Sequence, residues 1–120
     1  MRDTYPRYKC DAPYESDIEV VAPTKAQQRK AVPMYSGVIK YFPKALAEIA
    51  KCSQAGNDQH HPDKPLHWDK SKSADELDAL VRHLTDHSVD PLDDDNVLHL
   101  AKVGWRSLAA LERFLEGQDV

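Results

Sequence analysis

The sequence predicts an all-α protein, a small helical bundle of three main helices that follows an extended, proline-rich N-terminal arm. Apolar residues recur at intervals of three and four in separate stretches after residue 43, which is the spacing of one face of a helix. Four of the eight prolines lie before residue 36, where they exclude a long helix because proline lacks an amide hydrogen and fixes φ. We therefore expect an arm over residues 1–35 and a helical domain over residues 36–120.

Each main helix has a predicted beginning and end. The first begins at Pro43, which suits a first helical position, and ends near Gly56, which can adopt the left-handed cap. The second follows a capping box, Ser73-Ala-Asp-Glu76, and fades near residue 88. The third covers residues 96–116 after an acidic turn, and its apolar spacing is the most regular of the three.

The apolar lines of the second and third helices predict the core. The short turn between these helices favours an antiparallel pair, and Gly104 permits their close approach. The residues expected to meet in this contact are Leu77, Leu80, Val81 and Leu84 on the second helix and Val97, Ala101, Leu108 and Leu111 on the third.

Composition limits the partners of the chain. It has 16 Lys and Arg residues against 20 Asp and Glu residues, a net charge of −4, whereas proteins that bind duplex nucleic acid usually carry a basic face. No stretch is apolar for long enough to span a membrane. Cys10 and Cys52 lack the CxxC spacing and predict reduced thiols in the cytoplasm. Because a 120-residue domain buries a limited core, we also expect a homo-oligomer.

Residues 56–72 are predicted to form a long loop, and loops of this length inside small domains are often functional. The loop holds three of the six histidines and one of the two tryptophans. Rings can stack on a base, carboxamides can pair with base edges, and a lysine near a helix N-terminus can bind phosphate. The residues proposed for these roles are Asn57, Gln59, His60, His67, Trp68 and Lys72. In the alternative interpretation Trp68 fills the core and the loop is structural.

The second helix carries two groups of candidate metal ligands. Asp75 and Asp78 lie one turn apart and can hold Mg²⁺ against the phosphates of a substrate, whereas the alternative is a surface pair between Asp78 and Arg82. A second group shares a narrow sector beside the apolar line when residues are placed about 100° apart, and it can either bind a transition metal or border the core. This group consists of Glu76, His83 and His87.

The third helix carries a cationic face opposite its predicted core line. The face consists of His99, Lys102, Arg106 and Arg113. Arginine can clamp phosphate oxygens with two parallel hydrogen bonds, so these residues are candidates for binding phosphate. The alternative is that they keep the exposed side of the helix soluble.

Several of these residues together resemble one family. They are Gly56-Asn-Asp-Gln-His60, Pro65-Leu-His-Trp68, Lys72-Ser73, Asp75, Asp78, Arg82-His83-Leu84, His99 and Lys102-Val-x-Trp-Arg106. In this pattern the chain is similar, over about residues 36–115, to small phage and prophage proteins described as dATP/dGTP diphosphohydrolase-like. The resemblance implies an all-α fold and the cleavage of a deoxynucleoside triphosphate to its monophosphate and pyrophosphate with Mg²⁺. Helical pyrophosphohydrolases of the MazG type bear ExxE and ExxD pairs, and the nearest equivalent here is Asp75-x-x-Asp78.

Three functional hypotheses are consistent with these residues. The first is a phage nucleotide phosphohydrolase in which Asp75 and Asp78 are catalytic and hold the metal, because metal-assisted attack of water on phosphate suits these residue types best. Its nucleotide contacts would come from the loop and from Lys72, Arg82, His83, His99, Lys102 and Arg106. The second is a non-catalytic protein that sequesters a host signalling nucleotide and needs no cofactor. The third is an interaction module without a small ligand.

Overall fold

Residues 21–72 and 74–120 are described by a computed structural model, and within them the protein has four α-helices and no β-strand. The all-α class is therefore confirmed. A π-helical turn over Tyr35–Ile39 precedes the second helix, and a 3₁₀ turn over Lys70–Lys72 precedes the third. In this part of the chain no helix is both long and apolar enough to cross a bilayer. The helices are α1 (Lys25–Lys30), α2 (Pro43–His60), α3 (Glu76–His87) and α4 (His99–Leu115).

Residues 1–20 of the predicted arm lie outside the described residues. The described part of the arm contains a helix that the sequence analysis missed, since α1 interrupts the expected extended chain. Thr24 caps α1: its hydroxyl accepts from the amide of Gln27, and the Gln27 side chain accepts from the amide of Thr24. The Thr24-x-x-Gln27 pattern is a capping box, so the signal for this helix was present in the sequence.

The helices α3 and α4 pack through a face that differs in part from the predicted one, because it includes the cationic side of α4. Leu77, Val81 and Leu84, which were predicted to lie in the core, are 51%, 57% and 50% exposed, and Leu108 and Leu111 on α4 are also about half exposed. Val97 and Ala101 are buried as predicted, whereas the predicted contact of Leu77, Val81 and Leu84 with Leu108 and Leu111 is wrong. The side chains that are buried in the core of the described residues are instead small or polar: Ala79, Val97, Ala101, Ala109, Ala110, Asn57, Glu76 and His99.

The physical reason is that small side chains let the two helices approach closely. Ala79 on α3 and Ala109 and Ala110 on α4 are all buried. Glu76 lies among them and is bound by Arg106 and Arg113, so the cationic side of α4 has to face α3. Polar pairing, and not apolar surface, sets the orientation of this helix pair.

The apolar line of α4 faces α2. A Cβ atom built on Gly104 would lie 2.8 Å from Cδ1 of Ile49, so the close approach that Gly104 allows is to α2 and not to α3. The indole Nε1 of Trp105 donates to the hydroxyl of Ser53 over 2.6 Å and ties the same two helices together. Thus α4 contacts both of the other main helices, each with a different face.

Two predicted helix ends are also corrected. The helix α2 continues past Gly56 to His60, so Asn57, Gln59 and His60 lie on a helix and not in the loop. The helix α3 begins at Glu76, with Asp75 in the capping position and no side-chain cap. Ser73, the first residue of the predicted capping box, lies outside the described residues, and the carboxylate of Glu76 accepts from Arg113 of α4.

The turn between α3 and α4 is short and internally bonded. Leu92 and Leu98 pair in antiparallel fashion, and the amide of Asp93 donates to the carbonyl of Val97. Asn96 has a φ of 61°, in the left-handed region that asparagine tolerates better than most residues. As a result α4 begins at His99, three residues later than predicted.

Candidate functional site

A cleft of about 630 Å³ opens between the C-terminal half of α2, the loop that follows it, and the facing parts of α3 and α4. Many of the predicted site residues line it. From α2 and the loop these are Asn57, Gln59, His60, His67, Trp68 and Lys72. From the other side they are Asp75, His83, Lys102 and Arg106.

Three predicted site residues do not line this cleft. Asp78 lies exposed on the first turn of α3, so the structure brings Asp75 to the cleft without its predicted partner. Arg82 is also exposed and donates to Asp75 over 3.1 Å, in place of the predicted pairing with Asp78. His99 is buried behind the wall of the cleft.

Asn57 shapes the loop that forms one side of the cleft. Its side-chain nitrogen donates to the carbonyl of Lys64 over 3.0 Å, and its oxygen accepts from the amide of His67 over 3.4 Å. The residue is buried at the end of α2. Asn57 therefore holds the loop against the helix, and the base-edge role predicted for its carboxamide competes with these contacts.

Aromatic rings form the floor of the cleft. Trp68 packs edge-on against Trp105, with 5.5 Å between the ring centroids. The rings of His61 and His67 lie 4.6 Å apart at the rim, and Nδ1 of His67 is 3.0 Å from the carbonyl of Pro65. Partial burial and the neighbouring His67 lower the pKa of His61, so its imidazole is neutral at pH 7.

A buried carboxylate fixes two arginines behind the cleft. Arg113 donates to one oxygen of Glu76 over 2.8 Å, and Arg106 donates to the other over 3.4 Å. Two guanidinium groups thus share one carboxylate. Because a buried carboxylate is stable only when its charge is compensated, this network fixes the position of Arg106 in the cleft wall.

Lys102 lies between two carboxylates. Its ammonium donates to Asp93 over 2.6 Å and to Asp95 over 2.7 Å. Burial opposes the charged form of Lys102, but these two hydrogen bonds outweigh it and raise the pKa of the amine. The hydrogen bond from Lys102 also lowers the pKa of Asp93. All three groups are therefore charged at neutral pH.

Two imidazoles meet beside this lysine. The Nδ1 atoms of His83 and His99 lie 3.1 Å apart, and Nδ1 of His99 is 3.8 Å from a carboxylate oxygen of Asp93. Burial lowers the pKa of His83, and the cationic Lys102 lowers it further. The cluster of His83, Asp93 and His99 is compact enough to hold a metal ion.

Two further titratable groups of the cleft are a thiol and a carboxylate. Burial raises the pKa of the Cys52 thiol, so Cys52 is protonated at neutral pH and is a poor nucleophile. The hydrogen bond from Arg82 lowers the pKa of Asp75, which keeps this carboxylate ionised. Asp75 is therefore available as an oxygen ligand.

Several residues in or beside the cleft were not predicted as site residues. Asp93 and Asp95 were interpreted only as part of the acidic turn before the third helix, and Trp105 was named only as part of the family pattern. The signal for the two aspartates was their position directly before a helix that begins with a histidine. Trp105 carried no such signal, because its role depends on its contact with Trp68.

Residues 22–120 match the family model described as dATP/dGTP diphosphohydrolase, N-terminal. The chain belongs to this family. The matched range contains the whole cleft, and it extends the resemblance noted in the sequence at both ends. The family description names nucleotide hydrolases. No curated protein and no solved structure matches the chain.

Proposed function

We propose that the protein binds a deoxynucleoside triphosphate in this cleft and, with a divalent cation, hydrolyses it to the monophosphate and pyrophosphate. The observation that carries the proposal is the combination of aromatic rings, cationic side chains and a carboxylate in one cavity of about 630 Å³. Such a substrate presents an aromatic base, a polyanion and a bound cation, and so calls for all three kinds of group. We take the substrate class from the family description and place the reaction in the cytoplasm.

Lys72 and Arg106 are the proposed phosphate ligands. Lys72 makes only a long ion pair with Asp69, at 3.8 Å, and its side chain is 70% exposed, so it can turn toward a phosphate without losing a strong contact. Arg106 lines the cleft, and its contact with the carboxylate of Glu76, at 3.4 Å, is longer than that of Arg113, at 2.8 Å. Lys102 is neutralised by two aspartates and is a weaker candidate.

The base would stack at the rim of the cleft. His61 and His67 form a pair of rings there, and His61 is uncharged at pH 7. Trp68 is less accessible, because Trp105 packs against it and the ammonium of Lys70 lies 4.9 Å from its ring centroid. Gln59 and His60 on the last turn of α2 are exposed and suit contacts with base edges.

Asp75 is the proposed carboxylate ligand of Mg²⁺. This ion is commonly held by one or two carboxylates together with the phosphates of the substrate, so one ionised carboxylate such as that of Asp75 suits it. Bound there, the ion would neutralise phosphate charge and polarise the phosphorus centre. The predicted second ligand, Asp78, does not line the cleft.

The test is turnover of a panel of deoxynucleoside triphosphates with and without Mg²⁺, with monophosphate and pyrophosphate quantified. We expect Asp75→Asn to reduce turnover about tenfold or more, since the cation loses a charged ligand. Asp78→Asn is the matched control on the same helix and should retain activity. Loss of activity in Asp78→Asn with none in Asp75→Asn would contradict this arrangement.

Binding is tested separately by calorimetry. Lys72→Ala should weaken nucleotide binding about ten- to hundredfold, because a charge-assisted hydrogen bond to phosphate contributes about 1.5–3 kcal/mol. Lys51→Ala removes a similarly exposed lysine from α2, outside the cleft, and should bind as the unmodified protein does. Equal affinities of the two variants would place the phosphates elsewhere.

Sequestration of a nucleotide without cleavage is the second candidate function, and one observation favours it. Glu76, the glutamate at the start of α3, is buried and bound by two arginines, so it does not supply the second carboxylate of a metal pair. A protein that sequesters a host signalling nucleotide would need only the cationic and stacking groups. Retention of an intact nucleotide in the presence of Mg²⁺ would identify this function.

We also propose that the protein is a homo-oligomer in which α3 contacts a second copy. Leu77, Val81 and Leu84 form a line at intervals of four and three on α3, and all are about half exposed. In the described residues no large side chain is fully buried, and the buried apolar residues are four alanines and a valine. A core this small contributes little stability by itself, and a second copy would bury the exposed line.

A further inference from the structure

We infer that His83, Asp93 and His99 form a binding site for a divalent transition-metal ion of the zinc class, separate from the Mg²⁺ proposed at Asp75. The three side chains come from α3, from the turn that follows it, and from the first residue of α4. Their ligand atoms all lie within 4.8 Å of one another. Two imidazoles and a carboxylate are softer and more nitrogen-rich than the oxygen set that Mg²⁺ prefers.

The spacing of the three groups fits a small tetrahedral ion. Zinc binds imidazole nitrogen at about 2.0–2.1 Å, so neighbouring ligand atoms in a tetrahedron lie about 3.3–3.4 Å apart. The two Nδ1 atoms are 3.1 Å apart, and Nδ1 of His99 is 3.8 Å from Asp93. These two distances bracket the tetrahedral value, and the ligand atoms of His83 and Asp93 lie within 4.8 Å of each other, so side-chain shifts of about 1 Å or less would complete the site.

The fold holds these ligands in place without a metal. His99 is buried, and its amide donates to the carbonyl of Pro91. Asp93 is held by the bond from its own amide to the carbonyl of Val97. Because little side-chain motion is needed, binding would cost little ordering entropy.

The site would be open on one side. Three protein ligands leave the fourth position of a tetrahedral ion for water or a substrate oxygen, which is the arrangement of catalytic zinc sites. His83 lines the cleft, so this position would face the cleft. The site rests on its own geometry and does not depend on the proposed nucleotide reaction.

Lys102 is the group that opposes metal binding. Its ammonium donates to Asp93 and would have to give up this contact while keeping the one to Asp95. Removal of this positive charge should therefore strengthen metal binding. If the cluster were only structural, replacement of Lys102 by glutamine would not increase its affinity for a metal ion.

The experiment uses the full chain without an affinity tag. Zn²⁺ binding is measured by equilibrium dialysis with elemental analysis, and Co²⁺ serves as the spectroscopic probe of tetrahedral coordination. We expect one ion per chain, a loss of affinity of about tenfold or more in His83→Gln, and a gain in Lys102→Gln. His60→Gln is the matched control, since His60 is an exposed histidine outside the cluster.

Two outcomes would overturn the inference. One is binding of less than one ion per chain, and the other is equal affinity in His83→Gln and His60→Gln. If His83→Gln does not fold, we expect the same loss of Zn²⁺ affinity in Asp93→Asn. All measurements are made without nucleotide. The proposed metal site and the proposed nucleotide hydrolysis are therefore tested independently, and either can be contradicted without the other.

Discussion

Burial of the Glu76 carboxylate, which is 2% exposed, removes it from water, and the fold has to compensate its charge. Arg106 and Arg113 do so from α4, and their own side chains are partly buried by the contact. The network therefore couples three charges across the α3–α4 interface. Removal of the central charge would leave two guanidinium groups without their shared partner.

At the residue scale we predict that Glu76→Gln lowers the free energy of unfolding by about 3–5 kcal/mol, which is typical when one partner of a buried ion pair is removed. Urea denaturation followed by circular dichroism measures this loss. Asp78→Asn, a carboxamide substitution on the exposed side of the same helix, should change stability by about 0.5 kcal/mol or less. Similar losses in both variants would show that the arginines do not depend on Glu76.

At the scale of the element, α4 presents two different faces. Its polar face meets α3 through charged and imidazole groups, and its apolar face meets α2 through Gly104 and Trp105. The α2 contact depends on the absence of a side chain at Gly104, because Ile49 occupies the space a Cβ atom would need. Glycine is unfavourable in a helix interior, so Gly104 lowers the stability of α4 itself while it allows the close contact with α2.

We predict that Gly104→Ala destabilises the protein, since overpacking costs about 1–3 kcal/mol and exceeds the gain in helix propensity of about 1 kcal/mol. Ile49→Val removes the Cδ1 atom that lies 2.8 Å from the new methyl group. In that background Gly104→Ala should be less destabilising by about 1 kcal/mol. Thermal unfolding of the four proteins in a double-mutant cycle gives this coupling, and additive effects would show that the two side chains do not meet.

At the scale of the whole molecule, the exposed apolar line on α3 predicts association. Val81→Glu would place a charge in the centre of an interface and should shift light scattering at micromolar concentration toward the monomer. Val89→Glu makes the same substitution at a residue that is 87% exposed beyond the end of α3, and should leave the oligomer intact. A monomeric mass for the unmodified protein would contradict this proposal.

How well the sequence predicts each part of the structure depends on whether the interactions there are local or join distant residues. The main helices were predictable because apolar periodicity and residues such as Pro43 are local signals. The packing face between α3 and α4 was not predictable from the sequence. Glu76 and Arg113 are hydrophilic, and they can be buried only because they pair with each other. The cleft residues from the loop were predictable from the unusual composition of the loop. The roles of Asp93 and Trp105 are apparent only from their contacts with Lys102 and Trp68.

The paired indole rings in the cleft floor allow ligand binding to be followed by the intrinsic fluorescence of the protein. Trp68 and Trp105 are the two tryptophans of the chain, and both line the cleft, so the entire indole emission originates there. A purine that displaces water near these rings, or a metal ion that shifts the nearby His83, would alter the emission intensity or its wavelength. Ligand titrations can therefore be followed on the unlabelled protein, and a spectral response reports on the surroundings of these two rings.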